Sequence, residues 1–183
     1  MEDLAVPGGR IDSTLTFTPL GIAVLTISDS RDAATDTSGD LLAERIRAAG
    51  HRLAARALVK DSKADIQQQL RLWIEDRDVD VIVSTGGTGL TGRDVTPEAV
   101  RELFEKELEG FSVLFHLVSY ETVGVSTLQS RACAGLAGGT VIYALPGSNG
   151  ACRDGWDKLI CPQLDSRHRP CSIVEVIPRF QES

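Results

Sequence analysis

The sequence predicts an α/β fold: a single domain with a mostly parallel sheet and helices on both faces, three layers in all. Three observations predict it. Short apolar runs rich in β-branched residues alternate with stretches of helical periodicity. The runs are nearly continuous rather than alternating, as in strands buried on both faces. At 183 residues, with 42% apolar and 25% charged residues, the chain has the size and composition of one ordinary globular domain with a substantial core.

Residues 1–19 are polar, contain Pro7-Gly8-Gly9 and show no apolar period, so they read as a flexible N-terminal arm, with the domain proper at 20–183. Gly21 to Ile27 is a buried strand and Ser28 to Asp36 a polar loop. Thr37 or Ser38 can cap a helix carrying Leu41, Leu42, Arg45, Ile46 and Ala49, with Gly50 as its stop. His51 to Val59 alternates weakly as a strand. Ser62 and Asp65 form a capping arrangement for a helix with Ile66, Leu70, Trp73 and Ile74 on one face.

Residues 79–85 are the next strand. Pro97 suits the first turn of a short helix bearing Val100, Leu103 and Phe104, and Gly110-Phe111 breaks it. A second helix spans about Ser112 to Thr122, with Val113, Leu114, Leu117 and Val118, and Ser126 to Arg131 is polar. Ala132 to Leu136 and Thr140 to Leu145 read as a hairpin turned at Ala137-Gly138-Gly139. Pro146 to Gly150 is a loop, Cys152, Trp156, Leu159 and Ile160 mark a helix, and Ser172 to Ile177 reads as a last strand.

The net charge of −7 argues against a nucleic-acid-binding domain. No unbroken run of about 18 apolar residues suggests a membrane span, and Met1-Glu2-Asp3-Leu4 does not open a secretory signal. Cys133, Cys152, Cys161 and Cys171 match no zinc spacing and read as reduced thiols of a cytoplasmic protein. His51, His116 and His168 are scattered without ligand spacing, and Trp73 and Trp156 fall on apolar helical faces as core residues.

The richest stretch is 79–97. A strand ends in Ser84-Thr85-Gly86-Gly87-Thr88-Gly89, with Gly92 close behind, then Asp94, then Thr96-Pro97-Glu98 opening a helix. A backbone so bare can turn its N–H groups onto an anion, so the segment reads as a phosphate-handling loop with a metal or acid–base component. Two other strand exits share its small polar character, Ser28-Asp29-Ser30 and Pro146-Gly147-Ser148-Asn149. In a parallel sheet the three meet at one edge, which makes one pocket.

Gly87 to Gly92 formally fits the dinucleotide fingerprint, but its helix does not begin in the loop and no strand-ending acid follows about 20 residues on. There is no Walker loop and no Gly-x-Ser-x-Gly elbow. Asp94 is as well explained by a solvated loop carboxylate as by a functional acid. Asp61 reads more simply as a turn residue before its helix. Lys60 and Arg131 are candidate counter-charges for a phosphate.

Thr85-Gly86-Gly87-Thr88-Gly89, Arg93-Asp94-Val95-Thr96-Pro97-Glu98-Ala99 and Leu145-Pro146-Gly147-Ser148 together resemble the molybdenum cofactor biosynthesis proteins of the MoaB/Mog type, which share a domain with gephyrin. Thr26-Ile27-Ser28-Asp29, Asp36-Thr37-Ser38-Gly39 and Ser126-Thr127-Leu128-Gln129-Ser130-Arg131 extend the likeness over residues 20–178, toward the B branch. The resemblance implies an α/β/α domain assembling as trimers or hexamers. It implies that molybdopterin and Mg-ATP give adenylyl-molybdopterin and pyrophosphate. It implies that Asp94 is the essential acid and Mg²⁺ ligand, and that Asp61 is a second acid of the site. It further implies that Thr85, Gly86, Gly87, Thr88 and Gly89 hold the nucleotide and pterin phosphates. Ser28, Asp29, Ser38, Pro146, Gly147 and Ser148 would complete the pocket. The alternative it leaves is a non-catalytic molybdopterin- or nucleotide-binding paralogue, partnered with other enzymes of the pathway.

Overall fold

A computed structural model describes residues 9–180 and 182. Six strands form the main sheet: β2 (Gly21–Ile27), β3 (Arg52–Val59), β4 (Val81–Thr85), β5 (Lys106–Glu107), β6 (Cys133–Ala137) and β7 (Thr140–Leu145), in the spatial order β3-β2-β4-β7-β6-β5. β3, β2, β4 and β7 are mutually parallel, while β6 runs antiparallel to both β7 and β5. The sheet is thus mixed and mostly parallel, as the alternation of elements predicts. Gly138 and Gly139 turn the β6–β7 hairpin at φ of 58° and 90°, the two positive angles a two-residue turn of this kind needs.

Strand residues alternate between two cores. Ile22, Val24, Val83, Tyr143 and Leu145 face α1 (Thr37–Ala48), α4 (Glu109–Val123) and α5 (Asn149–Gly155), where Leu42, Ile46, Phe115 and Trp156 complete the packing. Ala23, Leu25, Ile82, Ile142 and Ala144 face α2 (Lys63–Ile74) and α3 (Thr96–Arg101) through Ile66, Leu70, Trp73, Ala99 and Val100. Each fully buried Val, Leu, Ile or Phe contributes about 1.5–3 kcal/mol. The helix after α5 passes through a π turn, Trp156–Ile160, into α6 (Cys161–Leu164). Pro162, lacking an N–H, sits just past the point where the Cys161 N–H reaches the Trp156 carbonyl.

Several sequence expectations are corrected. Of the expected flexible arm, residues 1–8 lie outside the described residues. The rest is tied down: β1 (Arg10–Ile11) pairs with β8 (His168–Arg169), Thr18 N–H donates to Ser166 Oγ at 2.8 Å, and Phe17 stacks near His51 beneath the Arg167 guanidinium. Ser172 to Ile177 is not a strand. It forms 3₁₀ turns, Ile173–Glu175 and Ile177–Arg179, because its apolar side chains pack onto the helical core instead of joining a sheet. Gly110-Phe111 lies inside the first turn of α4 rather than breaking a helix; the two-residue strand β5 separates α3 from α4.

α4 continues into a 3₁₀ segment, Gly124–Gln129, and the combined stretch Glu109–Gln129 is, by length and composition alone, apolar enough to cross a membrane. It is not an unbroken apolar run, being interrupted by Ser, Thr, His, Glu and Gly. Only 17% of its apolar window is buried, so it is not a core helix. Phe111 and Phe115 dock it on the sheet, while Val113, Leu117, Tyr120, Val125 and Leu128 stay exposed.

The cap of α1 is neither Thr37 nor Ser38 but Asp36, whose carboxylate accepts the Gly39 N–H at 3.0 Å. The same buried carboxylate accepts the Thr26 hydroxyl at 2.7 Å and the Arg56 guanidinium at 2.7 Å. Burial works against its charge, but Arg56, Thr26 and Gly39 outweigh burial and hold Asp36 below the usual carboxylate range. Asp36 therefore links β2, β3 and α1. Asp36→Ala removes the shared partner of Thr26, Gly39 and Arg56, although Arg56 keeps Asp40, and is expected to cost about 2 kcal/mol in urea unfolding. Because the folded-state pKa is depressed, this contribution is complete above the unfolded value near 3.8 and fades as pH falls below it, so wild type and variant converge in acid titrations of the midpoint.

Candidate functional site

The parallel register fixes where the site lies. Thr26 pairs with Thr85, and Thr85 with Leu145, so the chain leaves β2, β4 and β7 side by side. β2 leads outward to β3 while β4 leads the other way toward β7, and the loops diverge around a crevice. A cleft of about 690 Å³ opens there. Of the sequence candidates, Ser28, Asp61, Gly86, Gly87, Thr88, Gly89, Asp94, Pro146, Gly147 and Ser148 line it.

The glycine loop is pinned by its own backbone. Gly86 N–H donates to the Leu145 carbonyl at 3.0 Å, Thr96 N–H to the Gly87 carbonyl at 3.0 Å, and Thr96 Oγ1 to the Gly86 carbonyl at 2.8 Å. Gly86 and Gly87 adopt φ of 108° and 65°, and a Cβ on Gly86 would collide with the Ile27 carbonyl oxygen. The helix starts at Thr96, beyond the loop, which removes the dinucleotide geometry.

Three candidates do not line the cleft. Thr85 is fully buried beneath it, its hydroxyl donating to the Pro146 carbonyl at 3.1 Å and contacting Cys152 Sγ at 3.1 Å, so it fastens the third loop to β4 and cannot touch a ligand. Ser38, also buried, accepts from Arg31 Nη1 at 2.5 Å. Asp29 pairs with Arg93 and accepts the Asp61 N–H at 3.3 Å, bracing the first loop against its neighbours. Thr85 and Ser38 thus support the walls from behind, while Asp29 is exposed.

The counter-charges differ from expectation. Lys60 does not reach the cleft. Arg131 is spent on the loop itself: Nε donates to the Gly89 carbonyl at 2.8 Å, Nη2 to the Asp94 carbonyl at 2.6 Å, and Nη1 pairs with Glu98. The cations at the cleft are Arg31, which also donates to the Gly147 carbonyl at 2.9 Å, and Arg153 of α5. Sequence reasoning passed over both. The nearest signal was the position of Arg31 four residues beyond a strand exit. It also missed a second wall from α4 and the 3₁₀ segment, including Ser119, Thr122, Thr127 and Gln129.

The two acids have opposed surroundings. The Thr91 hydroxyl, with the Thr91 and Gly89 amides and Arg131, outweighs partial burial and holds Asp94 below the usual range; Oδ2 accepts from Thr91 Oγ1 at 2.6 Å and Thr91 N–H at 2.8 Å. Burial, then the Asp29 and Asp94 charges, pushes Asp61 up. An ionised Asp94 suits a cation. Among the described residues no group of three His, Cys, Asp or Glu forms a ready metal cage. A cation here would rest on one or two carboxylates plus ligand phosphates and water, which is how Mg²⁺ is usually held. No histidine lines the cleft among the described residues: His116 lies between the Ser112 and Ser130 carbonyls, His51 Nδ1 accepts the Leu20 N–H, and His168 is in β8. Burial pushes the Cys133 and Cys152 thiols up to about 11, which keeps them neutral and unreactive.

Residues 23–166 match the family model described as a probable molybdopterin binding domain. The chain is 49% identical over 156 residues to molybdenum cofactor biosynthesis protein B of Escherichia coli K12, covering 85% of this chain and 92% of that one. A crystal structure of a molybdenum cofactor biosynthesis protein B superposes with a TM-score of 0.78 at 44% identity, over 80% of this chain and 92% of the other. The tungsten cofactor synthesizing protein MoaB from Pyrococcus furiosus superposes with a TM-score of 0.73 at 31% identity, over 90% and 98%.

Gly86→Ala tests the loop geometry. Its positive φ and the abutting Ile27 carbonyl make the substitution destabilising by more than about 1 kcal/mol, read as a lowered thermal midpoint. An unchanged midpoint would show that the loop is not built on this close approach.

Proposed function

The chain belongs to the molybdenum cofactor biosynthesis family built on the molybdopterin binding domain, and from that membership we propose that it adenylylates molybdopterin, using ATP and Mg²⁺ and releasing pyrophosphate. The observation that carries this reading is Asp94, held ionised on a glycine loop at the meeting point of three strand exits. In the reaction a terminal phosphate oxygen of molybdopterin bonds to the α-phosphorus of ATP, and the bond to the pyrophosphate oxygen breaks. Both reactants are anions, so the main task is to bring them together. The loop amides offer fixed dipoles that need no reorganisation, and Arg31 and Arg153 add positive charge at the rim. The attacking phosphate is already ionised, so no general base is required, which agrees with a cleft whose lining contains no histidine among the described residues.

Asp94, with Asp61 beside it, would hold Mg²⁺. Bound there, the ion offsets phosphate repulsion and the charge on departing pyrophosphate. Asp61, disfavoured as an anion by burial and then by Asp29 and Asp94, gains most from such a cation.

Assembly follows the outer face of α4, which adjoins the cleft at Val123. Val113, Leu114, Leu117, Tyr120 and Val123 are each more than half exposed and recur along one helix face, a wider apolar strip than a solvated helix carries. Its occupant in this reading is a second copy of the chain, in a trimer or hexamer.

Two outcomes are expected. Purified protein given molybdopterin and Mg-ATP releases pyrophosphate, and Asp94→Asn abolishes release while pterin binding, measured by fluorescence quenching, persists. Pterin binding with no release above blank would instead support a non-catalytic binding protein; release undiminished in Asp94→Asn would remove that residue from its role. Separately, light scattering gives three or six times the chain mass of 19.7 kDa, and Leu117→Glu lowers that multiple.

A further inference from the structure

Residues 10–20 run as a strap from β8 to the start of β2, and the strap is lightly held. Ile11 and Leu15 are exposed. In the β1–β8 ribbon Arg10 stands directly opposite Arg169, a like-charge pairing that weakens the ribbon, though Glu175 offsets part of the Arg169 charge. The firmer contacts lie toward Leu20. Thr18 N–H donates to Ser166 Oγ at 2.8 Å, and Ser166 Oγ donates to the Thr16 carbonyl at 3.2 Å. The Phe17 ring centroid lies 5.1 Å from that of His51 and 5.2 Å from the Arg167 guanidinium carbon. Leu20 N–H donates to His51 Nδ1 at 3.2 Å, and Leu20 itself is buried in the core. Leu20 is therefore where the strap joins the domain.

His51 is 6% exposed, and its Nδ1 accepts the Leu20 N–H only while that nitrogen carries no proton. A proton there sets two donors against each other and adds a cation beside the ring that Arg167 already overlies. Burial outweighs the neighbouring Asp165 charge and pushes the imidazole below its ordinary value of 6.5. Asp165 is itself tied to Arg167 at 2.7 Å, and Arg52, next in the chain, is turned to Asp78. Thr14 holds Asp12, and Arg167 holds Asp165, below the usual carboxylate range, so both acids stay charged in mild acid. His168, opposite Ile11, is a second buried imidazole at the ribbon. We propose that residues 10–20 form an acid-releasable strap, freed from the domain when His51 takes up a proton. The neutral imidazole is the docked form. Docking is therefore complete above 6.5 and weakens as pH falls below it, by up to about tenfold per pH unit, until the docked imidazole is itself protonated.

The test is amide hydrogen exchange of the full chain at about pH 7.5 and about pH 5.5, corrected for intrinsic rates, which reads docking as protection. Protection over residues 10–20 is expected to fall about tenfold, the loss that one pH unit below 6.5 permits, while Val81–Thr85 of β4 keeps its own. His51→Asn places an amide oxygen where Nδ1 stood and does not titrate, so it loses this pH dependence; His168→Gln retains it. Unchanged strap protection in the wild type overturns the proposal. So does an equal fall in His51→Asn or in β4, or a fall that His168→Gln abolishes. NMR titration of the His51 ring in the wild type needs no variant. The ring is expected to titrate below 6.5, with the Leu20 N–H losing protection at the same midpoint. A midpoint at or above 6.5, or Leu20 protection that does not follow it, overturns the proposal even where His51→Asn fails to fold.

Discussion

Thr26, Thr85 and Leu145 stand in one line across three parallel strands, and that register governs the rest of the molecule. A shift of one residue in any pair would turn core side chains outward and move one exit along the sheet edge. The register is overdetermined: Ile22, Val24, Val81, Val83, Val141 and Tyr143 are buried on one face, and Ala23, Leu25, Ile82 and Ile142 on the other. Packing that has nothing to do with chemistry thereby sets the three loops beside one another to within a residue.

What the loops then need is fastening, and the chain uses charged and hydroxyl side chains for it more than for binding. Arg31 joins the first loop to the third, Arg131 grips the carbonyls of the second, and Thr85 ties the second strand to the third loop. Asp36 anchors the first loop to the sheet through Thr26 and Arg56. With the carbonyls so occupied, and the Gly86 and Gly89 amides spent on Leu145 and Asp94, the Gly87 and Thr88 amides are left to present a positive surface. Asp94 and Asp61 add the negative charge, one stabilised as an anion and the other not.

The layered fold and the three-exit cleft were legible in the sequence because both follow from local pattern: apolar period, small polar residues after strands, and glycines where the backbone must turn. The supporting contacts were not legible. Arg31 meets Gly147 across 116 residues, and Arg131 meets Gly89 across 42, and no spacing rule links such positions. Asp36 was passed over as a cap because Thr37 and Ser38, equally good cap residues, follow it directly; only the third strand, which brings Arg56, decides among them. The segment at 172–177 has a strand's composition but takes 3₁₀ turns, since helical packing offers its apolar residues more than an added edge would. Ser38 and Thr85 carry groups that suit a ligand, and only burial reveals that they face inward.

The two ends of the described chain meet at the base of the sheet. β1 pairs with β8, Phe17 packs beside His51 just before β3, and Ile177 and Pro178 line a shallow cavity with Ile74, Gly138 and Thr140 at the amino ends of the central strands. The cleft opens at the carboxyl ends. For anyone wishing to anchor the protein to a sensor surface or attach a dye, the base is therefore the natural handle: a tether joined there leaves the cleft mouth facing solution.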